Sequence, residues 1–388
     1  MSDEQNDPRG EVAAAGEEAP ASRAQMRSAG LRRERTLASR QFRDGHFRNT
    51  SGARDGVQGG PMKIFGELLF GGQERRPPAE LPIERPHARW GQRPETGLRV
   101  TWLGHSTVVL ELDGRRVLTD PVFAQRVSPV GFIGPRRFHP VPAELDELPP
   151  IDLVVLSHDH FDHLCRPTMR ALARTGVPVV TALGVGAHLE RFGFAPDRIT
   201  ELDWYESAEV AGVHVTATPS QHFSGRSLGS RNRTLWASWV IRGERHRVFF
   251  SGDTGLTPEF SEIGQRFGPF DLVMLEIGAF HPAWGKIHLG PRNALEAHRL
   301  LGGGLLMPVH WGTFSLGFHA WDDPGEELIA LAPSYDARLV TPRLGAPFEP
   351  ARVEAVTPWW REVVSRRARG DLEEADASER AQLLLPTE

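Results

Sequence analysis

From Leu98 onward, large apolar and β-branched residues fall in short runs separated by turn residues, a rhythm of strands rather than of long helices. LRVTWLG (98–104), STVVLEL (106–112) and RRVLTD (115–120) read as three strands, with Asp113-Gly114 as the hairpin turn between the last two. DLVVLS (152–157) reads as a buried strand, Arg166–Arg174 as a helix, VPVV (177–180) as a strand and Val185–Phe192 as a second helix. After Gly212 the alternation returns. VHVTATP (213–219), LWASWVIR (235–242) and RVFFSGD (247–253) are strands, followed by a helix near Pro258–Phe267, the strand DLVMLEIG (271–278), a helix over Arg292–Leu301, the strand LLMPVH (305–310) and a helix over Pro324–Leu331. Antiparallel hairpins give way to β-α-β alternation twice, a pattern that suits two mixed sheets face to face with helices outside.

The flanks have a different texture. Residues 1–40 are Ala, Glu, Arg and Ser with few large apolar side chains and no 3.6-residue stripe, so a disordered tail is expected. Residues 41–97 read as an extension whose short helices pack on the main domain, which spans 98–360; a charged tail, frayed or disordered, occupies 361–388. Within the extension, PMKIFGELLFG (61–71) gathers Met62, Ile64, Phe65, Leu68, Leu69 and Phe70. This cluster reads as a short helix on the domain surface, or alternatively as an exposed amphipathic element in peripheral contact with a membrane.

Composition narrows the classes. A chain of 388 residues buries a large core without disulfides, and its single cysteine, Cys165, could form none within the chain. With 45 basic and 50 acidic residues the net charge is −5, which disfavours nucleic acid as a partner. No apolar run approaches the roughly 20 residues that span a bilayer, and the N-terminus has acids where a signal peptide needs basic and then apolar residues. A cytoplasmic location is the simplest expectation.

The candidate chemistry starts at Ser157-His-Asp-His-Phe-Asp-His-Leu164, directly after a strand. Four ligand-type residues, His158, His160, Asp162 and His163, lie within six positions, and burying them without partners would cost several kcal/mol each. Metal coordination removes that cost. His158 and His160, two apart in an extended segment, point the same way to one ion, and the turn beyond brings Asp162 and His163 to a second. His222, Asp253 and His310 each follow a strand. Taken singly they are ordinary surface or core residues; taken together, seven such residues at strand ends point to a dinuclear site, with Asp253 able to bridge both ions. Imidazole and carboxylate without thiolate suit two Zn²⁺ per chain, with Fe or Mn also compatible. Cys165 reads as a small helix residue.

These residues, in this order on this strand pattern, resemble the metallo-β-lactamase superfamily, whose fold is a four-layer αββα sandwich. Residues 98–345 more closely resemble the branch that contains N-acyl-phosphatidylethanolamine-hydrolysing phospholipase D and its bacterial relatives, through WLGHST (102–107), LTDPVF (118–123), GPRRFHP (134–140), ELPPIDLVVLSHDHFDHL (147–164), TPSQHF (218–223), RNRTLWASW (231–239), FFSGDTG (249–255), EIGAF (276–280) and VHWGTFSL (309–316). The resemblance implies that His158, His160, His222 and Asp253 hold one ion and Asp162, His163, Asp253 and His310 the other. It also implies that Asp120 orients a histidine ligand through its other ring nitrogen. Cys165 stands where relatives commonly carry an acid.

A water between two cations would lose its proton near neutral pH and attack phosphorus or an acyl carbon, with Asp162 and Asp253 as ligands that also take part in catalysis. His288 is a further catalytic candidate, or a histidine at a helix entry. His105, Phe223, Phe280 and Trp284 are candidate substrate contacts, each also readable as core; Arg231, Asn232 and Arg233 are phosphate-recognition candidates or a solvated loop. The implied function is a zinc-dependent phosphodiesterase of phospholipase D type acting on N-acyl-phosphatidylethanolamine-like lipids. Its rivals are a lactonase or phosphodiesterase for a small sugar phosphate, a nuclease and a metal-stabilised binding protein. An open apolar surface favours the lipid, whereas a closed, polar and strongly basic pocket favours the sugar.

Overall fold

The computed structural model describes residues 23–51, 74–281 and 286–363. A small hairpin, β1 (Phe42–Arg43) and β2 (His46–Phe47), precedes the main domain. In the first large sheet, β3 (Leu98–Gly104), β4 (Thr107–Leu112) and β5 (Arg115–Thr119) form an antiparallel meander, and β6 (Leu153–Leu156), β7 (Val179–Ala182) and β8 (Ile199–Leu202) continue it in parallel. The second sheet repeats the plan: β9 (Ser207–Val210), β10 (Val213–Thr218), β11 (Ser238–Arg242) and β12 (Arg247–Phe250) are antiparallel, then β13 (Leu272–Glu276) and β14 (Leu305–Val309) run parallel to β12. A two-residue strand, β15 (Pro347–Phe348), pairs with β3 at the edge of the first sheet.

The parallel strands β6 and β13 are buried on both faces and read as continuous apolar runs, LVVL and LVMLE, whereas β3, LRVTWLG, is buried throughout although Arg99 and Thr101 alternate with its apolar residues. Val100, Leu110, Val117 and Leu153 of the first sheet share one apolar core with Val215, Trp239, Phe249 and Val273 of the second. Each such side chain contributes about 1.5–3 kcal/mol of burial. Helices flank the sheets: α1 (Arg23–Ala38), α2 (His87–Trp90), α3 (Arg166–Ala173), α4 (Gly186–Phe192), α5 (Glu259–Phe267), α6 (Gly290–Leu300) and α7 (Asp323–Leu331). Phe260 and Ile263, at helical spacing, are the buried residues of α5. Trp102, Trp311, Trp359 and Trp360 form an aromatic quartet in which Trp311 stacks on Trp102 at 5.8 Å and meets Trp360 edge-on at 4.9 Å.

Several boundaries differ from the sequence expectation. Residues 23–38, placed in a disordered tail, form α1, because that helix is held by ion pairs rather than by an apolar stripe. Arg32 reaches Glu190 and Glu201, both at 2.6 Å, and Ser28 Oγ donates to Glu190 at 2.8 Å. Strands β8 and β9 were not anticipated; they lie at sheet edges, where partial exposure dilutes the apolar signal. Cys165 caps the N-terminus of α3 rather than lying within it, and its Sγ accepts from Thr168 Oγ1 at 3.1 Å. The cluster at 61–71, residues 1–22 and the tail from 364 lie outside the described residues. Among the described residues, no helix is long and apolar enough to cross a membrane.

Candidate metal centre

Strands β5, β6, β10, β12 and β14 deliver their polar residues just beyond their C-terminal ends. Parallel pairing of β5 with β6, and of β12, β13 and β14, sets these ends side by side. The turn after β6 closes tightly, with Leu164 N donating to His160 O at 2.7 Å. An added Cβ at Gly252 would sit 2.4 Å from Ser157 Cβ, so glycine there lets the Asp253 turn of one sheet lie against the Ser157 turn of the other.

Among the described residues three overlapping groups of donor atoms result: His158, His160, His222 and Asp253; His105, Asp162, His163 and His310; and Asp253, His288 and His310. In the first, His158 Nε2 lies 2.8 Å from His160 Nδ1, which lies 3.2 Å from His222 Nε2; Asp253 Oδ2 stands 3.8 Å from His158 Nε2 and 3.6 Å from His222 Nε2. In the second, Asp162 Oδ2 lies 3.5 Å from His163 Nε2, 3.4 Å from His310 Nε2 and 3.1 Å from His105 Nε2. Asp253 touches this group as well, with Oδ2 3.2 Å from His163 Nε2 and Oδ1 3.2 Å from His310 Nε2.

The donor set fits divalent cations. Among the described residues, His163 Nε2, His310 Nε2 and Asp253 Oδ1 are buried with ion-pair neighbours at 3.2–3.5 Å but no directed hydrogen bond, and His310 Nδ1 is buried with no hydrogen-bond partner. Such orphaned groups cost about 1–3 kcal/mol each unless something satisfies them. The outer nitrogens are occupied where orientation requires it: His163 Nδ1 lies 2.6 Å from Asp120 Oδ2, and His222 Nδ1 donates to Ile287 O at 3.0 Å. Asp120 also accepts from Ser157 N at 2.7 Å and Ser157 Oγ at 2.6 Å. Asp120, His105 and His310 adopt left-handed backbone conformations, with φ of 32°, 54° and 64°. Strain of this kind, held by surrounding structure, clusters at functional sites.

Burial disfavours charge throughout this cluster, and local partners decide each outcome. Burial, joined by neighbouring imidazoles, holds His158 well below the usual histidine range. For His163 the carboxylates of Asp253, Asp162 and Asp120 outweigh burial and raise it well above that range; His310, opposed by burial but beside Asp253 and Asp162, is pushed up to about 10. Asp253 is held well below the usual carboxylate range because His163 and His310 overcome its burial. The metal-free cluster is therefore an ion-paired network whose protons a cation would displace.

A family profile described as the Beta-lactamase superfamily domain matches residues 115–311. The chain belongs to the beta-lactamase superfamily. An uncharacterized protein of Mycobacterium tuberculosis is 47% identical over 302 residues, covering 77% of this chain and 80% of that one. The N-acyl-phosphatidylethanolamine-hydrolyzing phospholipase D 1 of Caenorhabditis elegans is 39% identical over 235 residues, covering 58% of this chain and 66% of the relative. Among solved structures, a possible metal-dependent hydrolase from Veillonella parvula superposes with a TM-score of 0.54 at 18% identity, covering 64% of this chain and 98% of that one, and so shares the superfamily fold.

Within this superfamily scaffold the seven candidate ligands converge, and Asp120 supports one of them. A cavity of about 240 Å³ opens over His160, Asp162, Asp253, His288 and His310. Phe223, Ile287 and Leu316 give it an apolar wall, and exposed Arg231 stands in its lining with the guanidinium 4.6 Å above the Phe223 ring. His288 faces the cavity while its Nδ1 lies 3.1 Å from Glu276 Oε1.

Other candidates fall elsewhere. His105 is buried, outside the cavity lining, with its ring 4.0 Å from that of His310. It therefore belongs to the donor cluster and not to a substrate surface. Phe280 stacks on His319 at 4.8 Å and does not line the cavity. Asn232 is buried and its Oδ1 accepts from Ser224 N at 3.2 Å, which commits it to the loop. Trp284 lies outside the described residues.

Sequence reasoning missed four supports. Glu276 is fully buried and its Oε1 accepts from Leu289 N at 3.0 Å as well as facing His288; a carboxylate ending an apolar strand was the available signal. Asp159 Oδ1 accepts from Gly225 N at 2.7 Å, and Arg226 Nη1 donates to the carbonyls of Asp159 and Leu164 at 2.6 and 2.9 Å, tying down the histidine turn. Asn49, from the extension, brackets the backbone of His222, donating to its carbonyl at 2.8 Å and accepting from its N–H at 3.0 Å. Nothing local in sequence marks Arg226 or Asn49.

Proposed function

We propose that this chain is a metal-dependent hydrolase whose substrate is a phosphodiester of the N-acyl-phosphatidylethanolamine type, cleaved in phospholipase D fashion to phosphatidic acid and an N-acylethanolamine. The observation that carries this reading is Asp253, shared by two groups of buried, partly orphaned donors beneath a cavity with one apolar wall and one guanidinium. The named activity of the Caenorhabditis elegans relative supports the same substrate class.

His158, His160, His222 and Asp253 would hold one ion, and Asp162, His163, His310 and Asp253 the other. Imidazole and carboxylate donors without thiolate suit Zn²⁺. Two such cations supply Lewis acidity toward phosphate oxygens and a water acidified toward neutrality. The chain's own residues do the rest. Asp120 fixes the ring of His163, and the carbonyl of Ile287 turns His222 Nε2 inward. Arg231 at the rim pairs with the phosphate, while Phe223, Ile287 and Leu316 exclude water beside an acyl chain. His288, steadied by Glu276, hands a proton to the departing alcohol oxygen.

The test is mass spectrometry of products after zinc-replete protein meets N-acyl-phosphatidylethanolamine micelles, with chelated protein as blank. Phosphatidic acid formed only with metal is the expected outcome. Absence of product from protein that binds two metals per chain would overturn the lipid substrate and direct the search to a small soluble phosphate ester or lactone.

A further inference from the structure

A second cavity, of about 680 Å³, shares walls with the metal centre: Phe161 lines it where His160 and Asp162 line the first, and Ser230 lines it where Arg231 lines the first. Arg126, Arg166, Arg191 and Arg226 face this groove together with His188, and among the described residues no acidic side chain lines it. The carboxylate of Asp159, 3.3 Å from His188 Nε2, is buried and already bonded to Gly225 N. Arg226 is fixed over the Phe161 ring at 4.0 Å. Arg166 and Arg191 have no acidic partner among the described residues. The groove is thus a basic trough beside the catalytic cavity, in a chain of net charge −5.

Its mouth continues into the loop at 128–134, from which Ser128, Pro129 and Gly131 join the lining. That loop carries Val130, Phe132 and Ile133, exposed by 40%, 75% and 60%, and the only other exposed large apolar side chains among the described residues are on α1. The loop is held in shape: Ser128 Oγ donates to Ile133 O at 2.5 Å, Val127 N to Pro135 O at 3.2 Å and Arg126 Nη1 to Gly134 O at 2.6 Å. Apolar side chains held out toward water cost free energy unless something covers them. Apolar residues that enter the headgroup boundary beside guanidinium groups that meet lipid phosphates are the complement of an anionic bilayer surface.

We propose that the 128–134 loop and the arginine groove form a docking face for anionic phospholipid membranes. Val130, Phe132 and Ile133 enter the bilayer interface, and Arg126, Arg166 and Arg191 engage headgroup phosphates. Docking in this pose brings the metal centre alongside the lipid. The proposal supplies the substrate source for the lipid reading above and rests on that reading only for its purpose, since docking requires neither metal nor turnover.

The experiment is co-sedimentation of the full chain, metal-loaded and metal-stripped, with vesicles of phosphatidylcholine alone or mixed with phosphatidylglycerol. Binding to the mixed vesicles only, with and without metal, is expected. Phe132→Asp combined with Ile133→Asp should weaken it at least about tenfold, and Arg166→Glu with Arg191→Glu about fivefold or more per residue, with greater loss at high salt. Turnover of a water-soluble phosphodiester should be unchanged in both variants, which reports intact folding and separates failure of docking from failure of the hydrolase. The proposal falls if the wild type stays in the supernatant with every vesicle. It falls equally if the Phe132/Ile133 variant pellets like wild type, or if that variant loses only a concentration-dependent self-association, which would make the loop an interface between copies.

Discussion

The two sheets repeat one arrangement, an antiparallel meander running into parallel strands, yet they load the metal centre in different ways. The first supplies His158, His160, Asp162 and His163 from a single turn after β6. The second supplies His222, Asp253 and His310 one at a time, from the ends of β10, β12 and β14. Donors in one turn are placed by local chain geometry, whereas scattered donors are placed only by the packing of strands. The complete site therefore exists only when both sheets are docked, and a cation bound across it stabilises that docking.

The largest expected effect tests the residue that joins the halves. Asp253→Ala should lower turnover by about a thousandfold or more and leave fewer than two metals per chain by elemental analysis. Retention of both ions would break the idea that the second sheet closes the site. His310→Ala should also abolish turnover while circular dichroism stays near wild type, because His310 lies one residue beyond a strand whose core residues are unchanged. Unchanged activity there would refute the two-ion arrangement.

Legibility in the sequence followed the same division. The turn 158–163 declared itself because its donors are closely spaced, and the strands β3 to β7 and β10 to β14 were readable from short apolar and β-branched runs. His222, Asp253 and His310 gained meaning only jointly. Glu276 escaped assignment and His105 read as a substrate contact because their partners arrive from distant turns, and α1 escaped because ion pairs such as Arg32 with Glu201, rather than a stripe, dock it. The arginine groove gathers residues from four separate segments, a convergence no local pattern announces.

A smaller effect sharpens the comparison from the side of orientation. Asp120→Asn keeps every donor but replaces the carboxylate that faces His163 Nδ1, and should cost about 10- to 100-fold in metal affinity or rate. A loss confined to stability, with metal affinity and rate intact, would show that Asp120 serves Ser157 instead.

The smallest lies away from the metal, at the opposite ends of β5 and β12. Asp113 in the β4–β5 turn accepts from Arg245 N at 2.7 Å, His246 N at 3.0 Å and His246 Nδ1 at 2.7 Å, clasping the β11–β12 turn. Burial raises the affinity of this carboxyl for its proton, but the backbone N–H groups of Arg245 and His246 outweigh it and the pKa is lowered. A folded-state pKa below the unfolded one means the stabilisation is present above the unfolded value and fades as pH falls through the folded one. Asp113→Asn should cost about 1–2 kcal/mol in urea unfolding at neutral pH, with the difference from wild type vanishing in acid. An equal loss at both pH values would show that charge is irrelevant to the clasp.

The tryptophan quartet gives the centre an optical consequence. Trp311 directly follows His310 and stacks on Trp102, so the indole cluster is joined through one peptide bond to a candidate ligand whose protonated form, against its burial, Asp253 and Asp162 favour. A cation held by His310 would displace the proton of that ring. Titration with zinc is expected to change the intrinsic fluorescence excited at the indole band; an unchanged spectrum with both ions bound would show that the quartet does not sense the site.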